Sequence, residues 1–356
     1  MARKSLWILP LAVAAAIVWL SSRPSYPMGI SLPPPWDKLG HFSAFALLAA
    51  VLELGFRRNR HDLPLYRRHL LVFALVALFG ATDEWHQSFV PGRDCDLFDW
   101  MADALGGGFG LALTGLPFLG GRDLEVFGWW RGLRERPDPS RPLILVADPH
   151  WGEELTGLRE ATLRHPEADW LFLGDVFDVW VGIPGMETEA QRSFLWWVGE
   201  RRDAGRWVGL WMGNREFFLD GLAPQFSLMG EGVGGGLPGE GLRWEHGDLV
   251  NHADRPYRIW NLVSRSGPLW LLARLLPARA ATRLALRLER AMRTTNRDYK
   301  VDFPREAFAQ AADRKEGIFL TGHFHSHETE GRGVALPWAH EGQFMVWREG
   351  GVSVLE

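Results

Sequence analysis

Gly174-Asp175-Val176-Phe177-Asp178-Val179-Trp180 decides how the second half of this chain is read. An apolar run, Trp170-Leu171-Phe172-Leu173, precedes it and has the length of a buried strand. A strand that ends in Gly-Asp sets a carboxylate at the carboxyl edge of a sheet, where the backbone turns sharply. Four other stretches repeat the arrangement. Asp148 and His150 follow Leu143-Ile144-Leu145-Val146-Ala147, and Asn214 follows Trp207-Val208-Gly209-Leu210-Trp211. His246 follows Leu242-Arg243-Trp244, and His323 and His325 follow Ile318-Phe319-Leu320. Seven oxygen or nitrogen ligands at five strand ends suit two hard-to-borderline divalent ions that share one carboxylate. No thiolate is among them, which argues against a structural zinc knot.

Around this centre, strands alternate with helical stretches such as Glu187–Asp203 and Phe303–Asp313, an α/β pattern. Gln343–Arg348 and Val352–Leu355, parted by Gly350-Gly351, read as a terminal hairpin. The glycine-rich stretch 230–241 reads as a surface loop, since no helix N-terminus follows to make a phosphate cradle.

The 356 residues are long enough for two domains, and the first 120 have a different character. Leu6–Leu20 is free of charge and follows Arg3 and Lys4; a cleaved leader is the alternative to a membrane helix, but no small-x-small site follows it. Three more apolar segments lie near Leu39–Phe56, His69–Val90 and Leu97–Leu119, each close to the length of a bilayer crossing. Four membrane helices are therefore expected over residues 1–120, a juxtamembrane linker over 121–141 and the α/β domain over 142–356. In the linker, Phe127, Trp129, Trp130 and Arg131 suit a membrane interface. Arg57, Arg58, Arg60, Arg67 and Arg68 crowd the second loop, and Arg131, Arg134 and Arg136 follow the fourth segment. The positive-inside rule then puts both termini, and the ligand cluster, in the cytoplasm of a multi-pass protein of the bacterial inner membrane.

These helices hold charges that a plain anchor does not need. Asp37, Lys38 and His41 open the second segment; Asp83, Glu84, His86 and Gln87 lie near the end of the third; Arg93, Asp99 and Asp103 follow, with Asp37, His41, Glu84, Gln87, Arg93 and Asp99 the candidate cluster. Ionisable groups at membrane depth usually face a bundle interior or a pocket, so this cluster is a candidate site for a polar group of a lipid or precursor. A polar network that satisfies itself and orients the bundle is the alternative. Gly106-Gly107-Gly108 and Gly110 read as close helix packing.

The overall charge of -4 hides a basic stretch, with eleven Arg or Lys against three acidic residues between Asn251 and Lys300. Leucines interleave with Arg279, Arg283 and Arg287, which recur every four residues along one helical stripe. Pro268 and Pro277 divide the part from Gly267 to Lys300, so two helices are expected there, within a cap over about 251–300. The cap can take acyl chains and lie on an anionic leaflet, or be a solvated basic face over ordinary core. Membrane lipids are the partners this implies; no nucleic-acid partner is expected. The single cysteine, Cys95, allows no intrachain disulfide.

Two resemblances extend this reading. Asp37-Lys38-Leu39-Gly40-His41, the run Asp83-Glu84-Trp85-His86-Gln87-Ser88-Phe89-Val90-Pro91-Gly92-Arg93, Asp99 and Gly106 resemble the VanZ-like family over about residues 30–115, with Asp103 where that family has Asn. Asp148-x-His150, Gly174-Asp175-x-x-Asp178, Gly213-Asn214-x-Glu216, His246-Gly247-Asp248 and Gly322-His323-x-His325 resemble the calcineurin-like metallophosphoesterases, which implies a four-layer sandwich of two sheets flanked by helices. By that resemblance Asp148, His150, Asp175 and His325 bind one metal, and Asp175, Asn214, His246 and His323 the other. Asp175 bridges them, Asp178 supports the ligands through hydrogen bonds, and Asp175, Asn214, Arg215 and His323 are the catalytic set.

Where that superfamily has a His after the Asn, this chain has Arg215. Arginine is no acid at neutral pH but binds phosphate bidentately. A leaving phosphate needs no proton, so the change favours cleavage of a P–O–P linkage. Gly213-Asn214-Arg215-Glu216-Phe217 and Asp254-Arg255-Pro256-Tyr257 are further similar to the UDP-2,3-diacylglucosamine pyrophosphatase family of lipid A synthesis. That resemblance implies hydrolysis of a lipid-linked nucleotide sugar with two divalent ions, usually Mn2+, with Fe, Zn and Mg as alternatives. Arg215, Asp254, Tyr257 and Lys300 are its candidate substrate contacts. Pro149, Glu216, Phe324 and Ser326 depart from its motifs, and Thr294, Thr295, Arg297 and Lys300 are the candidates for its cap Ser and Lys. The alternatives are a metallophosphoesterase acting on another lipid diphosphate or phosphodiester, and a membrane binding or scaffold protein with a vestigial hydrolase. The complete ligand set argues against the last.

Overall fold

The chain divides into two units, Met1–Val126 and Phe127–Glu356, in a computed structural model. It describes residues 7–23, 36–59, 62–115, 129–131, 136–232, 235–237, 241–251, 255–277, 280–281, 283, 287, 303–339, 342–348 and 350–355.

The first unit is helical: α1 (Ile8–Ser21), α2 (Trp36–Asn59), α3 (Leu65–Gln87) and α4 (Leu97–Gly115). Among the described residues two stretches are long and apolar enough to cross a membrane, Trp36–Arg57 of α2 and all of α3; α1 is apolar but has 14 residues. Phe45, Leu48 and Ala49 of α2 pack with Val72 and Val76 of α3, Leu111 of α4 and Ile17 of α1. The glycines of α4 act through closeness. A Cβ on Gly106 would lie 2.1 Å from the Phe42 carbonyl oxygen, and one on Gly110 2.1 Å from that of Ala46. Backbone thus meets backbone along the α2–α4 seam, as small residues permit in apolar helix pairs. Arg68, one of the five arginines counted for the second loop, is buried and donates from Nε to Glu53 at 2.6 Å, so it is an internal ion-pair partner.

The second unit holds two larger sheets. The seven-stranded sheet has the order β1 (Trp129–Arg131), β7 (Leu228–Glu231), β5 (Val208–Met212), β3 (Asp169–Phe172), β2 (Leu143–Val146), β13 (Met345–Arg348), β14 (Gly351–Val354). Its β7-β5-β3-β2 centre is parallel, and the β13–β14 hairpin pairs antiparallel to β2. The five-stranded sheet runs β11 (Glu328–Glu330), β12 (Gly333–Ala335), β10 (Ile318–Thr321), β9 (Leu242–Glu245), β8 (Gly235–Leu237), with β12, β10 and β9 parallel. A short ribbon joins β4 (Trp180–Val181) and β6 (Glu216–Phe217).

Side-chain alternation sorts the larger sheet's residues into two apolar sets. Ile144, Val146, Trp170, Phe172, Val208 and Leu210 pack with Leu158 and Ala161 of α5 (Leu158–Arg164) and with Phe194, Trp197 and Val198 of α6 (Glu189–Asp203). The opposite set, Leu143, Leu145, Leu171, Trp211 and Leu228, packs with Leu242, Trp244 and Leu320 of the smaller sheet. Phe319 and Ala335 pack with Phe308 and Ala312 of α9 (Arg305–Asp313). Helix α6 begins at a capping box, Thr188 with Gln191, which contributes on the order of 1 kcal/mol.

Two sequence expectations change here. Trp129–Arg131, read as linker, pairs antiparallel with Met229–Glu231 as an edge strand, consistent with the strand preference of tryptophan. The glycine-rich stretch 230–241 is not all loop, since Gly230 lies in β7 and Gly235-Gly236 in β8. A Cβ on Gly235 would sit 2.3 Å from Trp244 Nε1, so glycine makes room for a buried tryptophan. The cap stretch begins with α7 (Arg255–Ser264) and α8 (Gly267–Leu275). Ser266 caps α8, Pro268 opens it and Pro277 follows its end.

Candidate metal centre

Five strands of the second unit end where the sequence places ligands, and the backbone there is unusual. Among the described residues six non-glycines have positive φ, and five of them are Asp148 (50°), His150 (44°), Asp175 (48°), His323 (66°) and His325 (56°). Asp and His tolerate the left-handed region better than most residues, yet it still costs about 1–3 kcal/mol each. The turn is what swings each side chain from the strand axis into a shared pocket. Glycine clears that pocket. A Cβ on Gly174 would lie 2.5 Å from His246 Nδ1, one on Gly213 2.4 Å from Asp175 Oδ1, and one on Gly322 2.5 Å from Asp148 Oδ2.

All seven predicted ligands converge. Asp175 faces two sides: Oδ2 is 3.8 Å from His150 Nε2, and Oδ1 is 3.6 Å from His246 Nε2. Asp148 Oδ1 is 3.8 Å from His325 Nε2 and 3.9 Å from His246 Nε2, while its Oδ2 accepts the His323 N–H at 2.6 Å. Asn214 Oδ1 lies 3.0 Å from His246 Nε2, and the His323 ring is 5.1 Å from that of His246. His246 Nδ1 donates to the Leu173 carbonyl at 2.8 Å, which turns Nε2 into the pocket. Asp148–His150–His325 and Asp148–Asp175–His246 each bring their donor atoms within 4.8 Å of one another.

The electrostatics match that geometry. Burial alone would disfavour an imidazolium at His246, but the Asp175 and Asp148 carboxylates push it up to about 9. A field that holds a proton this firmly holds a cation in its place. Nitrogen and oxygen donors without thiolate, the glycine-cleared cradle and this field fit a pair of divalent ions.

Other residues position the ligands. Glu216 is buried and accepts three backbone N–H groups, from Asp175 (2.9 Å), Val176 (2.7 Å) and Gly213 (2.7 Å). Burial first, then the Asp175 charge, pushes its carboxyl up to about 7. Arg215 donates its backbone N–H to Asp175 Oδ1 at 2.9 Å, and its Nε is 3.3 Å from Asp175 Oδ2. Asp178 Oδ1 is 3.7 Å from His150 Nδ1. Sequence reasoning missed Arg265, which is buried and donates to the Gly213 carbonyl (2.6 Å) and to Glu231 (2.9 Å). No sequence signal separates it from the other arginines of that basic stretch. It also missed Trp338, whose ring stacks on His325 with centroids 5.3 Å apart.

The predicted substrate contacts are only partly described. Tyr257 donates its hydroxyl to Asp248, with Asn261 Nδ2 3.3 Å from the same carboxylate oxygen. Asp254, Arg279, Thr294, Thr295, Arg297 and Lys300 lie outside the described residues. Arg283 and Arg287 are helical and exposed, and Leu271, Leu272 and Leu275 of α8 are exposed too.

In the first unit the predicted polar cluster also gathers. Lys38 binds Asp96 (2.6 Å) and Asp99 (2.5 Å), and lies 3.4 Å from Asp37. His41 Nδ1 is 3.0 Å from Asp103 Oδ1. Gln87 donates to Asp83 (3.0 Å) and Glu84 (3.3 Å), and its Oε1 accepts from Arg93 Nη1 at 3.3 Å. Sequence reading had named Lys38 among these charges but not Asp96.

Comparisons with known proteins divide along the same lines. Residues 2–117 match the VanZ/LLP1 family model. The UDP-2,3-diacylglucosamine hydrolase of Pseudomonas putida strain W619 is 30% identical over 198 residues, which is 51% of this chain and 81% of that relative. That of Pseudomonas putida strain F1 is 31% identical over 163 residues, 43% of this chain and 67% of the relative. That of Pseudomonas aeruginosa strain UCBPP-PA14 is 28% identical over 207 residues, 54% of this chain and 77% of the relative.

Proposed function

We propose a lipid-linked pyrophosphatase activity from this premise: the chain belongs to the UDP-2,3-diacylglucosamine hydrolase family through its second unit, and carries a VanZ/LLP1 domain in its first. The reaction is hydrolysis of UDP-2,3-diacylglucosamine to UMP and 2,3-diacylglucosamine 1-phosphate, a step of lipid A synthesis. One observation carries the reading above the others: Asp175 lies between two donor sets and turns one oxygen to each.

Asp148, His150, Asp175 and His325 would hold one ion, and Asp175, Asn214, His246 and His323 the other; Mn2+ is the proposed metal. When bound, such a pair supplies a water of lowered pKa and positive charge against the phosphoryl oxygens. The chain's own residues do the rest. Asp175 fixes the spacing of the two sets, and Glu216 holds the Asp175 backbone in its left-handed turn. Arg215, whose Nε is 3.3 Å from Asp175 Oδ2 and whose Nη1 donates to the Asp178 carbonyl, is the proposed ligand of a phosphoryl oxygen. Water oxygen adds to one phosphorus and gives up a proton to solvent, the P–O–P bond breaks and the second phosphate leaves with the electron pair. A phosphate is a weak enough base to leave without a proton donor, which suits arginine where the wider superfamily has histidine.

The packing sets support a four-layer sandwich as the frame of this site, with α5 and α6 outside one sheet and α9 outside the other. The exposed leucines of α8 beside basic residues support a cap that takes acyl chains at an anionic leaflet. The first unit is proposed as a four-helix, multi-pass inner-membrane domain with both termini cytoplasmic. Labelling of Cys95 only after permeabilisation would overturn that orientation. Its cluster of Asp37, His41, Glu84, Gln87, Arg93 and Asp99 is proposed to receive a polar group of a lipid or precursor. Alanine changes there that altered expression alone would leave it a structural network.

The deciding experiment is hydrolysis by the full chain in detergent, with Mn2+, of UDP-2,3-diacylglucosamine against a generic phosphodiester. UMP release from the first with little turnover of the second supports the reading. Preference for the diester would favour the second reading, a phosphoesterase on another lipid.

A further inference from the structure

Each of three helices in the first unit contributes one donor to a single point: His41 from α2, Glu84 from α3 and Asp103 from α4. Their ligand atoms all lie within 4.8 Å of one another. Asp103 is 0% exposed and Glu84 3%. Asp103 Oδ1 accepts from His41 Nδ1 at 3.0 Å, but the buried Oδ2 has no hydrogen-bond partner among the described residues. The neighbouring charges are already committed. Lys38, one turn before His41, is held by Asp96 and Asp99. Asp83 accepts from Ser21 Oγ (2.6 Å) and Gln87 Nε2 (3.0 Å), and Glu84 Oε2 accepts the Asp96 N–H at 2.9 Å.

Two nearly inaccessible carboxylates thus share one imidazole, whose Nε2 also lies 4.0 Å from Asp99 Oδ2, in a unit whose helices include two apolar enough to span a bilayer. Buried carboxylates without compensating charge are costly, and more so at membrane depth. A monovalent partner at His41 would leave the group anionic; a divalent ion would balance it. The donor chemistry narrows the class. One imidazole and two carboxylates suit a borderline divalent transition ion such as Zn2+ or Mn2+, and three protein ligands leave a coordination position open.

We infer that His41, Glu84 and Asp103 form a second divalent-metal site, inside the VanZ/LLP1 domain and separate from the hydrolase centre. An open position on such an ion would present positive charge to an anionic headgroup or precursor phosphate.

Cys95 supplies a local reporter. It is exposed, and it adjoins Asp96, whose N–H is bonded to Glu84. The full chain in detergent, labelled at Cys95 with a fluorophore, is titrated with Co2+, a paramagnetic stand-in for Zn2+. Saturable quenching reversed by Zn2+ is the expected result. Asp103→Asn and Glu84→Gln, close in shape but uncharged, should each weaken the Co2+ midpoint by at least about tenfold. Asp175→Asn, in the other unit, should leave the midpoint unchanged. If Asp103→Asn is not monodisperse, Glu84→Gln and His41→Gln carry the same comparison. Absence of saturable quenching in the native chain, or an unshifted midpoint in the folded variants, overturns the assignment.

Discussion

Removing the Glu216 carboxylate tests how the metal centre is held, because that buried side chain accepts three backbone N–H groups. Its Oε2 accepts from Asp175 and Gly213 and its Oε1 from Val176. Glu216→Ala leaves three buried N–H groups without acceptors. At about 1–3 kcal/mol for each unsatisfied donor, the loss is at least ~3 kcal/mol, before the cavity is counted. Glu216→Gln keeps one oxygen, which can serve the Asp175 and Gly213 donors, but turns an NH2 toward Val176; its loss is about 1–3 kcal/mol. In a unit of this size each kcal/mol lowers Tm by about 2–4 °C, so the alanine variant should fall by at least ~6 °C and the glutamine variant by less. Asp175 follows its own backbone, and a displacement near 1 Å in such a ligand costs about a hundredfold in rate. The assay is thermal unfolding of the full chain with and without Mn2+, with kcat measured on the same samples. A Glu216→Ala protein with native Tm and native kcat would refute the idea that this carboxylate builds the site.

Three further outcomes are expected. Asp175→Ala should lose metal and several orders of magnitude in rate, whereas Arg215→Ala should slow turnover with metal content intact; metal analysis beside kcat separates the two. Burial pushes the Glu245 carboxyl up to about 7. A folded-state value above the unfolded one means stability falls as pH rises from about 4.5 to about 7, and above that range the loss is complete. Glu245→Gln should therefore flatten the Tm–pH slope over that window and raise Tm most at pH above it; parallel curves for the two proteins would contradict this. In the first unit, Gly110→Ala puts a Cβ 2.1 Å from the Ala46 carbonyl oxygen and should part α2 from α4. Lower thermal stability in detergent is the readout, and a native melting curve would mean that the seam is looser than described.

The strand ends were legible in the sequence because each couples a local pattern to a chemical one: an apolar run, then Asp, Asn or His. The positioning residues were not. Arg265 acts through Gly213 and Glu231, which lie 52 and 34 residues away in the chain, and no local pattern marks such a contact. Glu216 stood out in sequence as a member of the Gly213-Asn214-x-Glu216 motif and as a departure from the narrower family's, yet its function is to accept backbone hydrogens that sequence does not display. The strand at Trp129–Arg131 was missed for a related reason. An edge strand of three residues is too short to show a period, and its pairing with Met229–Glu231 spans about a hundred residues. In the first unit, Asp103 attracted notice as a departure from a family pattern, and burial made it a candidate ligand.

Backbone handedness is the clearest case of what residue type cannot convey. Asp and His occupy ordinary strand or helix conformations nearly everywhere in proteins, so no composition rule places five of them in the left-handed region. Here they are held there by what surrounds them. His323 N bonds to Asp148, Asp148 N to the Gly174 carbonyl, His150 N to the Asp175 carbonyl and Asp175 N to Glu216. Four of the five strained turns are thus fixed by a bond from their backbone N–H to another part of the centre. Such mutual fixing makes the turns cooperative: a turn that relaxes releases the acceptor or donor of its neighbour. The sheets supply the rigidity, since β2, β3 and β5 are parallel and adjacent and end together at one edge. A site built this way should lose its ligands as a group, so single changes in Asp148, Asp175 or Glu216 should be markedly less than additive when combined.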